Sequence, residues 1–82
     1  MLNGKTALIT GGARGIGAAI CRKLASLGAD IAMIALTADE QANNQIAAIT
    51  AEYHVKAKIY ACDVSDAAQC KDTVKQVIED FG

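Results

Sequence analysis

Thr10-Gly11-Gly12-Ala13-Arg14-Gly15-Ile16-Gly17 is the stretch on which the fold turns. It follows a short apolar run, Thr6-Ala7-Leu8-Ile9, and opens a helix-like segment that reaches Leu27. Strand, glycine turn and helix, in that order, form the setting in which such a motif holds a dinucleotide. Gly11 lets the chain turn sharply out of the strand, Gly15 lets backbone approach a pyrophosphate because it has no Cβ, and Gly17 lets the helix lie close to the sheet. The first turn of that helix offers unpaired N–H groups and the positive end of its dipole, which suit an anion.

Working outward, the same rhythm repeats. Thr6 to Ile9 is predicted as a strand covered on both faces, because it lacks polar alternation. The first helix, from about Gly15, places Ile16, Ala19, Ile20, Leu24 and Leu27 on one side as its inward stripe, and Gly28 is the expected left-handed stop. Asp30 leads into a second buried strand, Ile31 to Ala35. Thr37-Ala38-Asp39-Glu40 matches a capping box, with Thr37 and Glu40 satisfying backbone donors reciprocally. The helix it opens runs to about Tyr53, with Ala42, Ile46, Ile49 and Tyr53 inward. A third strand spans roughly Ala57 to Cys62. Ser65 or Asp66 caps a third helix to about Asp80, with Val74, Val77, Ile78 and Phe81 inward. The order β-α-β-α-β-α implies a parallel sheet with right-handed crossovers, the N-terminal half of a Rossmann-type doubly wound α/β fold. The whole chain, 1–82, is read as a dinucleotide-binding half-domain, truncated before a catalytic half. The third strand is expected at an exposed sheet edge, and stability is expected to be marginal.

The composition narrows the function classes. With 52% hydrophobic and 21% charged residues the chain is globular rather than disordered. A net charge of −1, with scattered basic residues, gives no electrostatic case for nucleic acid or an anionic membrane. Cys21, Cys62 and Cys70 lack metal-ligand spacing and the chain has a single histidine, so no metal site is expected. The expected setting is the cytoplasm: three reduced cysteines, no signal peptide in Met1-Leu2-Asn3-Gly4-Lys5, and no run long enough to span a bilayer.

Arg14 sits just before the second glycine of the motif. Its guanidinium either reaches the 2′-phosphate of NADP or lies solvated on the surface. A carboxylate at the end of the second strand would hold a ribose 2′-hydroxyl and repel that phosphate. The residues there, Ala35-Leu36-Thr37, are neutral, and Asp39 and Glu40 are read as residues of the helix start. NADP is therefore expected over NAD.

The pattern Thr10-Gly11-x-x-x-Gly15-Ile16-Gly17, with Gly4-Lys5-Thr6-Ala7-Leu8-Ile9, Leu27-Gly28-Ala29 and Cys62-Asp63-Val64, resembles the short-chain dehydrogenase/reductase family over the whole chain. Within that family the opening looks most like bacterial 3-oxoacyl-[acyl-carrier-protein] reductases. The resemblance implies NADPH-dependent reduction of a 3-oxoacyl thioester in fatty-acid synthesis, an acyl-carrier-protein-bound substrate and a homotetramer. It implies a cofactor site at Gly11, Gly12, Ala13, Arg14, Gly15, Ile16 and Gly17. It also has Asp63 accept from the adenine amino group and Val64 touch the base through its backbone; Asp63 as a turn or helix-cap residue is compatible with that. The family's catalytic tyrosine is followed four residues later by lysine. Here Tyr53 is followed by Lys56 at three residues, and Tyr60 by Val64 at four, so no catalytic residue is assigned. His54 reads as a solvated residue past a helix end. The chain alone is expected to be inactive and to bind cofactor weakly. Sugar, polyol or steroid dehydrogenases, or a non-catalytic nucleotide-binding module, are the alternatives.

Overall fold

A computed structural model describes residues 1–11 and 15–82. Six elements alternate: β1 (Thr6–Thr10), α1 (Gly15–Ser26), β2 (Asp30–Ala35), α2 (Glu40–Tyr53), β3 (Ala57–Ala61) and α3 (Ala67–Phe81). The strands form one parallel sheet in the order β1-β2-β3. Thr6 lies opposite Asp30, and Ile31 opposite Ala57. This is the open α/β arrangement expected from the sequence.

The central strand explains the packing. Ile31, Ala32, Met33 and Ile34 of β2 are all buried, as a strand flanked by two others and covered by helices must be. Ile31 and Met33 pack with Cys21 and Ala25 of α1 and with Ala42 and Ile49 of α2, joined by Ala7, Ile9 and Ile59 from the flanking strands. Removing a side chain such as Met33 from this cluster would cost about 2–5 kcal/mol, a large share of what so small a core supplies. Arg22 ties the two helices from outside. It pairs with Glu52 at 3.1 Å and donates to Gln45 at 3.3 Å.

Several expectations need correction. β1 is not covered on both faces, since Leu8 is 47% exposed, and among the described residues it pairs with β2 alone. The inward stripe of α1 is Ala18, Cys21 and Ala25, whereas Ile16 and Ile20 are 82% and 45% exposed on the opposite side, and Ala19 is exposed too. Small side chains face the sheet because they let the helix axis come close to it. The cap of α2 is Asp39, whose carboxylate accepts from the Ala42 amide at 2.9 Å, rather than a Thr37–Glu40 box. On α3 only Val77 is fully buried. Val74 and Ile78 are 42% and 62% exposed.

The expected helix ends hold elsewhere. Gly28 adopts φ +97°, and a Cβ there would fall 2.0 Å from the Asn3 side-chain oxygen, so the helix stop is also a packing site. His54 takes the left-handed C-cap of α2, and its amide donates to the Thr50 carbonyl at 3.0 Å. The C-terminal end of α3 is fastened to β3. Tyr60 donates to Asp80 at 2.6 Å, Lys58 pairs with Asp80 at 3.5 Å, and Lys56 donates to the Asp80 carbonyl and lies 4.8 Å over the Phe81 ring. Two ammonium groups beside the last turn also suit the negative end of the helix dipole.

Candidate dinucleotide site at the strand ends

In a parallel sheet all strands end on the same side, and the loops that leave them converge there. A groove of 620 Å³ lies at that edge. β1 contributes Thr10 and Gly11, and β2 contributes Ile34 and Ala35 followed by Leu36 and Thr37. Cys62, Asp63 and Val64, which follow β3, close the opposite side, and Asp39 at the start of α2 completes the lining. The walls are mostly apolar, with a few polar groups at the rim, the usual make-up of a site for a small ligand.

Gly11, which lines the groove, and Gly15, at the start of α1, leave open space beside their backbone. Both take left-handed φ, +67° and +56°, and a Cβ built on either would meet nothing within 4 Å. The chain turns away from β1 at Gly11, whose amide still donates to the Ile34 carbonyl at 2.8 Å and so extends the β1–β2 ladder by one bond. Gly15, Ile16 and Gly17 form the first turn of α1, with no acidic side chain among them. Gly12, Ala13 and Arg14, expected to complete the cradle and to meet a 2′-phosphate, lie outside the described residues.

Asp63 and Val64, which follow β3, line the groove. Asp63 also builds the local turn. Its carboxylate accepts from the Ser65 hydroxyl at 2.6 Å and the Ser65 amide at 3.0 Å. These two bonds hold the Asp63 carboxyl below the ordinary carboxylate range, so it is ionised at neutral pH. The Asp63 amide donates to the Gln69 side chain at 3.0 Å, and Gln69 in turn donates to Asp66 at 3.3 Å. Asp66 caps α3 by accepting from the Ala68 and Gln69 amides at 3.0 and 3.2 Å. The alternative roles read from the sequence thus fall to different residues: Asp66 caps the helix, and Asp63 forms the turn at the groove.

Ile34 is a lining residue that motif reading did not single out. It precedes the last residue of β2, and that position was the available clue. Tyr53 packs against the core from α2, and Tyr60 is bonded to Asp80. Burial and the Asp80 carboxylate raise the Tyr60 phenol above its ordinary value, the opposite of what a proton-donating tyrosine of a reductase needs. Among the described residues no group of three or more His, Cys, Asp or Glu is placed to hold a metal ion. Among them, too, no helix is long and apolar enough to cross a membrane.

Known proteins share this arrangement. The profile of the short chain dehydrogenase family matches residues 5–82. The NADP-dependent mannitol dehydrogenase of Alternaria alternata is 40% identical over 99% of the chain, which spans 31% of that protein. A short chain dehydrogenase from Burkholderia cenocepacia J2315, solved in complex with NADP, superposes with TM-score 0.92 at 42% identity over 99% of this chain and 33% of the other. A xylitol dehydrogenase bound to NAD+ superposes with TM-score 0.91 at 36% identity over 99% of this chain and 30% of the other. With the parallel sheet and the groove at its carboxyl edge in place and the family profile matched over residues 5–82, the chain belongs to the short-chain dehydrogenase family.

Proposed function

We propose that this chain is the cofactor-binding part of an NADP-dependent oxidoreductase that interconverts a secondary alcohol and a ketone on a polyol or sugar. The observation that carries the cofactor reading is the neutral end of β2. Ala35, Leu36 and Thr37 line the groove without a carboxylate, so nothing in that run repels a 2′-phosphate. Gly11 and Gly15 would admit the pyrophosphate to backbone, and Asp63 and Val64 would meet the adenine end. Arg14 would supply the cation for the phosphate. NADPH provides the hydride; the chain's own residues bind and orient the nucleotide and shield one of its faces.

The substrate reading draws on the relatives. The Alternaria protein is a mannitol dehydrogenase, and the structural neighbour that binds NAD+ is a xylitol dehydrogenase. A 3-oxoacyl thioester is the second reading, favoured by the opening Gly4-Lys5-Thr6-Ala7-Leu8-Ile9. The relatives described here give it no support. The chain spans about a third of their length, so the catalytic acid and the substrate pocket would lie in sequence beyond these residues.

Titration with NADP and NAD tests the cofactor reading. NADP is expected to bind at least about tenfold more tightly, a difference of about 1.4 kcal/mol. Equal affinities would overturn it. For the substrate, the protein carrying this chain is assayed for NADPH oxidation with fructose and with a 3-oxoacyl thioester. Turnover of the ketose supports the polyol reading, and exclusive turnover of the thioester replaces it with the second.

A further inference from the structure

We propose that Gln69 is a positioning residue for recognition of the adenine base: its side chain braces the Asp63 backbone, so that the Asp63 carboxylate is held to meet the purine amino group. The β2–β3 ladder ends one residue before Asp63, where the Cys62 amide donates to the Ala35 carbonyl at 2.8 Å. The next amide, that of Asp63, donates instead to Gln69 Oε1 at 3.0 Å. Gln69 sits in the first turn of α3, three residues after the cap Asp66. A glutamine at that place ordinarily reaches back to the amide of the cap residue. Here the Asp66 amide is already given to the Asp63 carbonyl at 2.9 Å, and the Gln69 side chain reaches three residues further, to the Asp63 amide. Gln69 Nε2 donates to Asp66 Oδ2 at 3.3 Å. A backbone N–H can only donate and a carboxylate accepts, so these two partners leave a single orientation for the Gln69 amide.

Asp63 is thereby held at three points. Its amide is on Gln69, its carbonyl accepts from the Asp66 amide, and its Oδ1 accepts from the Ser65 amide and hydroxyl at 3.0 and 2.6 Å. Both Ser65 bonds fall on Oδ1, so among the described residues Oδ2 is left to a donor in the groove that Asp63 lines. Adenine carries an amino group at C6, which donates; hypoxanthine carries a carbonyl there, which accepts and would meet the carboxylate oxygen against oxygen. The placement of one carboxylate therefore separates the two bases. Without the Gln69 acceptor, the segment that carries this carboxylate to the groove is held from Ser65 and Asp66 alone.

The effect on base recognition rests on the cofactor reading above; the brace itself does not. The protein carrying this chain is titrated with NADP and with its hypoxanthine analogue, and exchange of the Asp63 amide hydrogen is followed by NMR without nucleotide. The wild type is expected to bind NADP about tenfold more tightly than the analogue, the worth of one hydrogen bond to a charged group. Gln69→Met, of similar length but without an amide, should bring that ratio below about threefold and speed exchange at Asp63 about tenfold. Gln69→Glu keeps the acceptor and should keep both. Gln76→Met removes a bond to Asp80 at the other end of α3 and should leave the ratio unchanged, which separates positioning from a general loosening of the helix. An unchanged ratio in Gln69→Met overturns the proposal, as does a Glu variant that behaves like the Met variant or an equal fall in Gln76→Met. Equal binding of the two nucleotides by the wild type also overturns it. A wild type that ignores NADP would instead overturn the cofactor reading, while exchange at Asp63 still decides whether Gln69 holds that amide.

Discussion

Ala35→Asp puts the cofactor assignment under direct strain. Ala35 ends β2, is half-buried and lines the groove. An aspartate there would place a carboxylate where a dinucleotide's adenosine ribose is bound in this architecture. Two unit charges about 4 Å apart repel by about 1 kcal/mol in water and by about 4 kcal/mol near a protein surface. A phosphate monoester carries about −1.5 to −2 charges at neutral pH. The groove opens to solvent, so the lower value applies per charge, giving about 2 kcal/mol, or roughly thirtyfold against NADP. NAD lacks the phosphate and gains a hydrogen-bond acceptor for its 2′-hydroxyl. The quantity to measure is the ratio of NADP to NAD affinity by calorimetric titration. Ala35→Asn serves as a control of nearly equal size, and denaturant unfolding of each variant shows that folded proteins are being compared. The Asp variant should lower the ratio about thirtyfold and the Asn variant by less than about threefold. If the two lower it equally, charge at the end of β2 does not set the preference, and the argument from a neutral strand end fails.

Three further outcomes follow from the geometry. Asp66→Ala removes the acceptor for the Ala68 and Gln69 amides and should cost about 1 kcal/mol in denaturant unfolding, while Asp66→Asn should keep most of it. Gly28→Ala should cost about 1–2 kcal/mol from its left-handed φ alone and more from the clash with Asn3; pairing it with Asn3→Ala should recover only the clash. The Tyr60–Asp80 bond should shape stability at both ends of the pH range. Asp80 is held below its ordinary value by Tyr60 and Gln76, so its contribution is present above the ordinary carboxylate range and is lost as pH falls through the lowered value. Tyr60 is raised, so its contribution is present below the ordinary phenol value and fades as pH rises past it. Tyr60→Phe should flatten both limbs of a plot of Tm against pH; an unchanged plot would show that the bond does not form in solution.

Much of this fold was legible because its strongest signals are local. A glycine turn after an apolar run, Gly28 at a helix stop and Asp66 before a helix start each depend on a few adjacent residues. The errors lie where a residue's fate depends on distant parts of the chain. Ile16 and Ile20 look like core residues, yet Ala18, Cys21 and Ala25 face the sheet, because close helix–sheet contact selects for small size over hydrophobicity. Periodicity alone could not choose between two apolar stripes on opposite sides of one helix. Both Asp39 and Thr37 fit the local pattern of a cap, and Asp39 takes the role because the helix begins at Glu40, the residue after it. Thr10, Gly11, Cys62 and Asp63 at the groove could be named from their motifs. Ile34 could not, since it owes its place to the alignment of three strand ends.

The register of the sheet bears on how the chain reaches this state. Thr6 meets Asp30 and Ile31 meets Ala57, so each ladder closes a loop of roughly 25 residues, at an entropic cost of about 3 kcal/mol before any strand bond is made. Among the described residues no hairpin offers a cheaper first contact, because both connections between paired strands cross over through a helix. α1 and α2 shorten the path by folding back on themselves, and Arg22 joins them where they meet. β2 serves both ladders, so neither β1 nor β3 can pair before β2 is in place, and Met33 of that strand lies in the core that both pairings close over.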